Sequence, residues 1–257
     1  MRYVEPARVI ERRLGGRPPP EGRGAILLHH GYSRALAAVD LLRARPLNER
    51  ILSLPELPQA PHRFEAAIGG SLIAVVIMAD RTAEVIEELA VLAVPWGIAQ
   101  GSAGSLEPGL TQCTQIAASA ALVNDGVSRV YARGDLVEAD PDLLACFGQV
   151  AADRGVEPRG VRVATVEALY REHDDLVAAW RDAGANAINM ETSPLYAAAS
   201  ALDLAALWIA QVSDELRPDG RWTSWNDHRE RRERARSVSN EILVAMVYDL
   251  IARNGRK

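Results

Sequence analysis

Lysine is almost absent from this chain: Lys257 is the only one, and arginine carries nearly all the positive charge. Cysteine is scarce too. Cys113 and Cys146 stand far apart, at no spacing that ligates a metal, and read as two core thiols in a reducing compartment. The five histidines, His29, His30, His62, His173 and His228, fall in no metal pattern either. Long apolar runs are missing: Ser71 to Ala79 and Leu204 to Val212 reach about half of the ~20 residues that span a bilayer. Residues 1–20 show no secretory pattern, so the expected location is the cytoplasm, with no membrane partner. An excess of positive charge is lacking as well. With a net charge of −5, no overall field draws nucleic acid, and any anion site must be local. The arginine run from Arg229 to Arg236 is interleaved with Glu230 and Glu233 and reads as a solvated helix face.

What is present is a globular composition, 48% apolar and 25% charged over 257 residues. Residues 1–23 are rich in Arg, Gly and Pro and read as an N-terminal arm with little fold of its own. From Gly24 strand and helix patterns alternate. Strands are expected at Gly24 to His30, Ser71 to Ala79, Ala93 to Ala99, Val127 to Ala132, Gly160 to Val166 and Leu204 to Val212. Arg63 to Ile68 reads as extended, with Gly69-Gly70 as a hairpin turn. Helices are expected at Ser33 to Ala44, Thr82 to Leu92, Asp140 to Gly155, after Glu167, and from Asp227 onward. No linker or repeat divides residues 24–257. The expectation is one α/β domain, a three-layer α/β/α sandwich with a mixed, mostly parallel central sheet.

The chemistry concentrates at strand ends. Ala187-Ile188 closes a strand, and Ser193-Pro194 reads as a capping hydroxyl and a first helical residue. Glu191 therefore sits at the carboxyl edge of the sheet, where open α/β folds bind ligands. Asp214 ends the next apolar strand; each carboxylate alone is more often a helix cap than a catalyst, but two adjacent strand ends delivering them to one cleft would offer a diol acceptor and a proton donor. Gly31-Tyr32-Ser33-Arg34 opens a helix. A cation in the first turn opposes the helix dipole and is easier to explain with an anion in front of it, although a turn glycine beside a surface arginine also accounts for it. Gly101 to Gly109 is the most glycine-dense loop, and its Gly101 to Ser105 part offers backbone N–H groups and the Ser102 hydroxyl to a phosphate, or is a plain turn.

These residues resemble the nucleoside phosphorylase family that includes hexameric purine nucleoside phosphorylase and uridine phosphorylase, over most of the chain from Gly24. Asn189-Met190-Glu191-Thr192 resembles the ribose-binding segment, which implies that Glu191 takes the sugar 2′ and 3′ hydroxyls and Met190 packs on the sugar. Val212-Ser213-Asp214 is similar to the segment whose aspartate protonates purine N7, which implies Asp214 as the catalytic acid. The resemblance further implies phosphate contacts from Gly31, Arg34, Ser102 and, from a neighbouring subunit, Arg63. It implies base contacts from Gly104, Leu169 and Tyr170. The expected activity is phosphorolysis of purine nucleosides, with inorganic phosphate as co-substrate, no cofactor and no metal. The assembly implied is at least a dimer, and a hexamer by analogy. Two positions depart from the family pattern. Ala99 stands where an arginine is usual, and the N-terminal arm has no histidine. Uridine phosphorolysis, nucleoside hydrolysis and nucleoside binding without turnover are the alternatives.

Overall fold

The computed structural model describes residues 4–17, 22–29, 32–47, 63–68, 71–77, 81–223 and 228–254. Its scaffold is one mixed sheet. Strand β1 (Gly22–Leu28) pairs in parallel with β4 (Ser71–Ile77) on one edge and with β5 (Trp96–Ser105) on the other. Outward from β4 come β3 (Arg63–Ile68) and β2 (Arg45–Pro46), both antiparallel. Ile68 stands opposite Ser71, and the Gly69-Gly70 turn itself lies outside the described residues.

Beyond β5 the sheet continues through β9 (Ala187–Asn189), β8 (Arg159–Thr165), β6 (Gln115–Leu122) and β10 (Ala205–Glu215). The short β7 (Leu136–Glu138) hangs on β6. Strand β10 also pairs in parallel with β5 along its whole length. The pairings thus return to β5 and close a ring. The apolar periodicity of each strand fixes which face it buries, but not this closure.

Helices cover both faces. On one side α1 (Pro6–Leu14), α3 (Thr82–Val91) and α7 (Thr192–Ala201) share a core that holds Ile86, Leu89, Leu195 and Tyr196. On the other, α2 (Tyr32–Leu41), α5 (Pro141–Ala152) and α8 (Arg229–Asn254) pack Val39, Phe147, Leu243 and Met246 against the sheet. The remaining helices, α4 (Ser128–Tyr131) and α6 (Asp174–Asp182), lie between strands, and α6 buries Val177 and Trp180.

Four local expectations are corrected. The N-terminal stretch carries a helix: α1 buries Ile10 and Leu14, four residues apart on one face, and Arg13 pairs with the buried Glu88 of α3 at 3.0 Å. Its polar composition hides that stripe. Residues 101–105 are strand rather than loop, because Gly101 and Gly104 serve close packing instead of a turn. A Cβ on Gly104 would lie 2.7 Å from the Trp222 ring, and one on Gly101 3.1 Å from Trp208. Around Val127 the backbone is helical, since Asp125 captures the Ser128 N–H at 2.7 Å and nucleates a turn. Finally, Ser193 is not the cap of α7. Asn189 Oδ1 accepts from the N–H groups of Glu191 (3.4 Å) and Thr192 (3.3 Å), while Ser193 N–H donates to Thr165 Oγ1 at 2.9 Å. Cys146 is a buried free thiol held at about 12 by burial and Asp249, whereas Cys113 is only half-buried. No described helix is long and apolar enough to cross a membrane.

Candidate active site

Strand β5 organises the site. Strand β1 claims its edge up to Gln100, and β9 claims the same edge only at Gly104 and Ser105. Between them the strand is open at its carboxyl half, the position where ligands enter sheets of this kind. A cavity of about 540 Å³ lies there, within the ~300–1,000 Å³ usual for small-molecule sites. Ser102 and Gly104 form one wall. The segment from Ile188 to Glu191 forms a second, and Ser213 and Asp214 a third. The stretch after β8 contributes Leu169, Tyr170 and Glu172, and Trp222 closes one side.

A strand irregularity delivers Asp214. Val212 pairs with Ala103, but Asp214 rather than Ser213 pairs with Gly104, so β10 carries an extra residue at Ser213. Such bulges re-aim side chains. In a regular strand Asp214 would stand opposite Ser105 and share the face of Val212 and Ala103, which belongs to the core. The bulge turns it to the face of Ser102 and Gly104. The Ser213 hydroxyl donates to the Asp214 carboxylate.

The electrostatics of the three acids differ in cause. Burial pushes Glu191 up to about 7, opposed by the Met190 N–H, which donates to its Oε2 at 3.2 Å. Burial also raises Asp214, opposed by the Ser213 hydroxyl and by the charge of Arg232 on α8. Glu172 is raised by burial and then by the negative charge of Asp214, and the Trp222 indole donates a hydrogen bond to it. Carboxylates held up in this way keep a proton nearer neutral pH, as a general acid must.

Most expected site residues meet here. Met190, Glu191, Asp214, Ser102, Gly104, Leu169 and Tyr170 line this one cavity. Tyr170 is 95% exposed, so it stands at the rim. Arg34 is exposed in the first turn of α2, and Arg63 opens β3, separated from β5 by β4 and β1; neither lines the cavity. Gly31 lies outside the described residues. Ala99 is buried in the core that α3 and α7 share. Arg34 does have company: the guanidinium of Arg236 on α8 is pushed down by burial, then by the charges of Arg34 and Arg232. Arg34 in α2 and Arg232 and Arg236 near the start of α8 are thus close enough for their charges to oppose one another.

Sequence reasoning missed Glu172 and left Trp222 without a contact. The signal for Glu172 was an acid two residues past Tyr170 in a stretch that follows a strand end. Nothing local tied it to Asp214.

Comparison with known proteins bears on this geometry. The family model described as the phosphorylase superfamily matches residues 42–248. A DeoD-type purine nucleoside phosphorylase of Caldanaerobacter subterraneus subsp. tengcongensis is 29% identical over 118 residues, 45% of this chain and 51% of the relative. The chain thus spans about half the length of that curated relative. Purine nucleoside phosphorylase from Toxoplasma gondii, solved with immucillin-H, superposes with a TM-score of 0.74 at 18% identity, covering 90% of this chain and 92% of that one. The 5′-methylthioadenosine/S-adenosyl homocysteine nucleosidase of Campylobacter jejuni superposes at 0.70 with 15% identity, covering 89% and 99%. At such identities the superpositions establish the fold.

Proposed function

The chain belongs to the phosphorylase superfamily, and from that premise we propose that it cleaves purine nucleosides by phosphorolysis, yielding the free base and (deoxy)ribose 1-phosphate. The observation that carries the reading is the meeting of Glu191 and Asp214, from successive strand ends, in one cavity of nucleoside size. A phosphate oxygen attacks the anomeric carbon as the bond from that carbon to N9 breaks. The bonding electrons pass to the base, and the proton of Asp214 moves to N7 to neutralise it. General acid assistance of this kind is typically worth ~10²–10⁴-fold. Glu191 accepts from the sugar diol, and Met190 packs beside the ring. Ser102 holds phosphate in the cavity; Arg34 and a neighbour's Arg63, which do not line it in the single chain, are the proposed further phosphate ligands, which makes the working unit a homo-oligomer, at least a dimer and by analogy a hexamer. Fixing the two reactants against each other supplies a large share of the acceleration.

A specific observation favours a second reading, hydrolysis. Among the described residues, the charged groups that line the cavity are Glu172, Glu191 and Asp214, all acidic, and such a lining repels a phosphate dianion. Purified protein incubated with inosine, guanosine, adenosine or uridine, with and without phosphate, separates the two. Base release that requires phosphate supports phosphorolysis. Release without phosphate supports hydrolysis, and release from uridine alone removes the role of Asp214 at N7.

A further inference from the structure

Glu172 has no part in the reaction above, yet it faces the same cavity as Asp214. It follows the short 3-10 turn Leu169–Arg171 and accepts a hydrogen bond from the Trp222 indole. The two carboxylates are close enough for the charge of one to disfavour ionisation of the other. Burial of both acids and the charge of Asp214 on Glu172 favour the protonated form, so the pair can present one donor and one acceptor to the cavity. Among the described residues, the other charged groups facing the pair are Arg232, which favours the charge on Asp214, and Glu191 in the same cavity.

Proton count then distinguishes bases. A purine with a 6-amino group presents an acceptor, N7, beside a donor, the exocyclic N–H. One shared proton satisfies both: a protonated acid donates to N7 and an ionised one accepts from the amine. A 6-oxopurine presents two neighbouring acceptors, N7 and O6, and needs both acids protonated. We infer that Glu172 is a specificity-determining residue that selects 6-aminopurine nucleosides over 6-oxopurine ones, accepting from the exocyclic amine while Asp214 donates to N7. This rests on the reading of Asp214 as the acid that faces N7.

The test is equilibrium binding of adenosine and inosine, measured by calorimetry without phosphate, to the wild-type protein, Glu172→Gln and Glu172→Ala. Wild-type protein is expected to favour adenosine by ~10²-fold or more, since a site built around a substrate N–H rejects the analogue that lacks it. Glutamine is neutral and can donate to O6, so it should bring the ratio to within ~10-fold. Alanine should do the same by removing the acceptor. Equal affinities in the wild type, a preference for inosine, or a ratio unchanged in the variants overturns the inference. Should glutamine prevent folding, the wild-type ratio and the alanine variant still decide. Binding with the expected ratio but no phosphate-dependent turnover overturns phosphorolysis alone, whereas no binding of either nucleoside overturns both.

Discussion

Replacing Glu191 by glutamine should make the protein more stable and less able to hold a sugar. The carboxyl is held at about 7 against an ordinary 4.5, chiefly by burial. Below pH 4.5 it is neutral in folded and unfolded chains alike and costs nothing. Between 4.5 and about 7 the unfolded chain ionises while the folded one keeps its proton, so stability falls as pH rises. Above about 7 the folded protein ionises too and the loss levels off. Its full extent, at ~1.4 kcal/mol per pH unit, is ~3 kcal/mol. Glutamine keeps the shape and an acceptor for the Met190 N–H, but never ionises. Urea unfolding of both proteins at pH 4.5 and pH 8, at one fixed protein concentration, reads the difference. The variant should gain ~3 kcal/mol on the wild type between the two conditions. A gap of equal size at both pH values refutes the argument. A sugar diol that donates to the ionised carboxylate should also expel its proton. Calorimetry of nucleoside binding near pH 6, in two buffers of different ionisation enthalpy, should register that release, and a null result would mean Glu191 does not take the hydroxyls.

Asp214→Asn should lower kcat for purine nucleosides by ~10²–10⁴-fold with Kd little changed; turnover near wild type in a stopped assay would remove Asp214 from the acid role. Gly104→Ala places a methyl 2.7 Å from Trp222 and 3.0 Å from Ile188. The indole must move, at ~1–3 kcal/mol, and base affinity by fluorescence titration should drop while the sheet is retained; unaltered affinity would show that the ring does not wall the base. Leu14→Ala opens a void where a side chain only 3% exposed packs under α3. A loss of ~2–5 kcal/mol is expected, and a melting temperature identical to wild type would mean that α1 does not dock.

The parts legible in the sequence were those fixed by neighbours along the chain. Glu191 and Asp214 could be placed because each follows an apolar run that must end at a sheet edge, but their meeting could not, since β9 runs antiparallel to β5 whereas β10 runs parallel to it. The illegible parts depend on which strand lies beside which. Gly101 and Gly104 look like turn residues until Trp208 and Trp222 are seen pressing on them. Glu172 meets Asp214 only because β10 closes back on β5 and carries Trp222 with it, a contact with no local trace. The stripe of Ile10 and Leu14 was too short to stand out among arginines. Arg34 in a first helical turn fits an anion ligand or a plain surface arginine, and the sequence does not show that it comes near Arg232 and Arg236. That grouping needed the approach of two helices far apart in sequence.

The extra residue at Ser213 carries a lesson for transplanting this site. Strict inside–outside alternation counted along β10 assigns Asp214 to the wrong layer. A designer who copies the aspartate onto another parallel strand, without also copying the one-residue slip before it, would entomb an acid in hydrocarbon. Here the placement of the acid is encoded by a miscount in the weave as much as by a side chain.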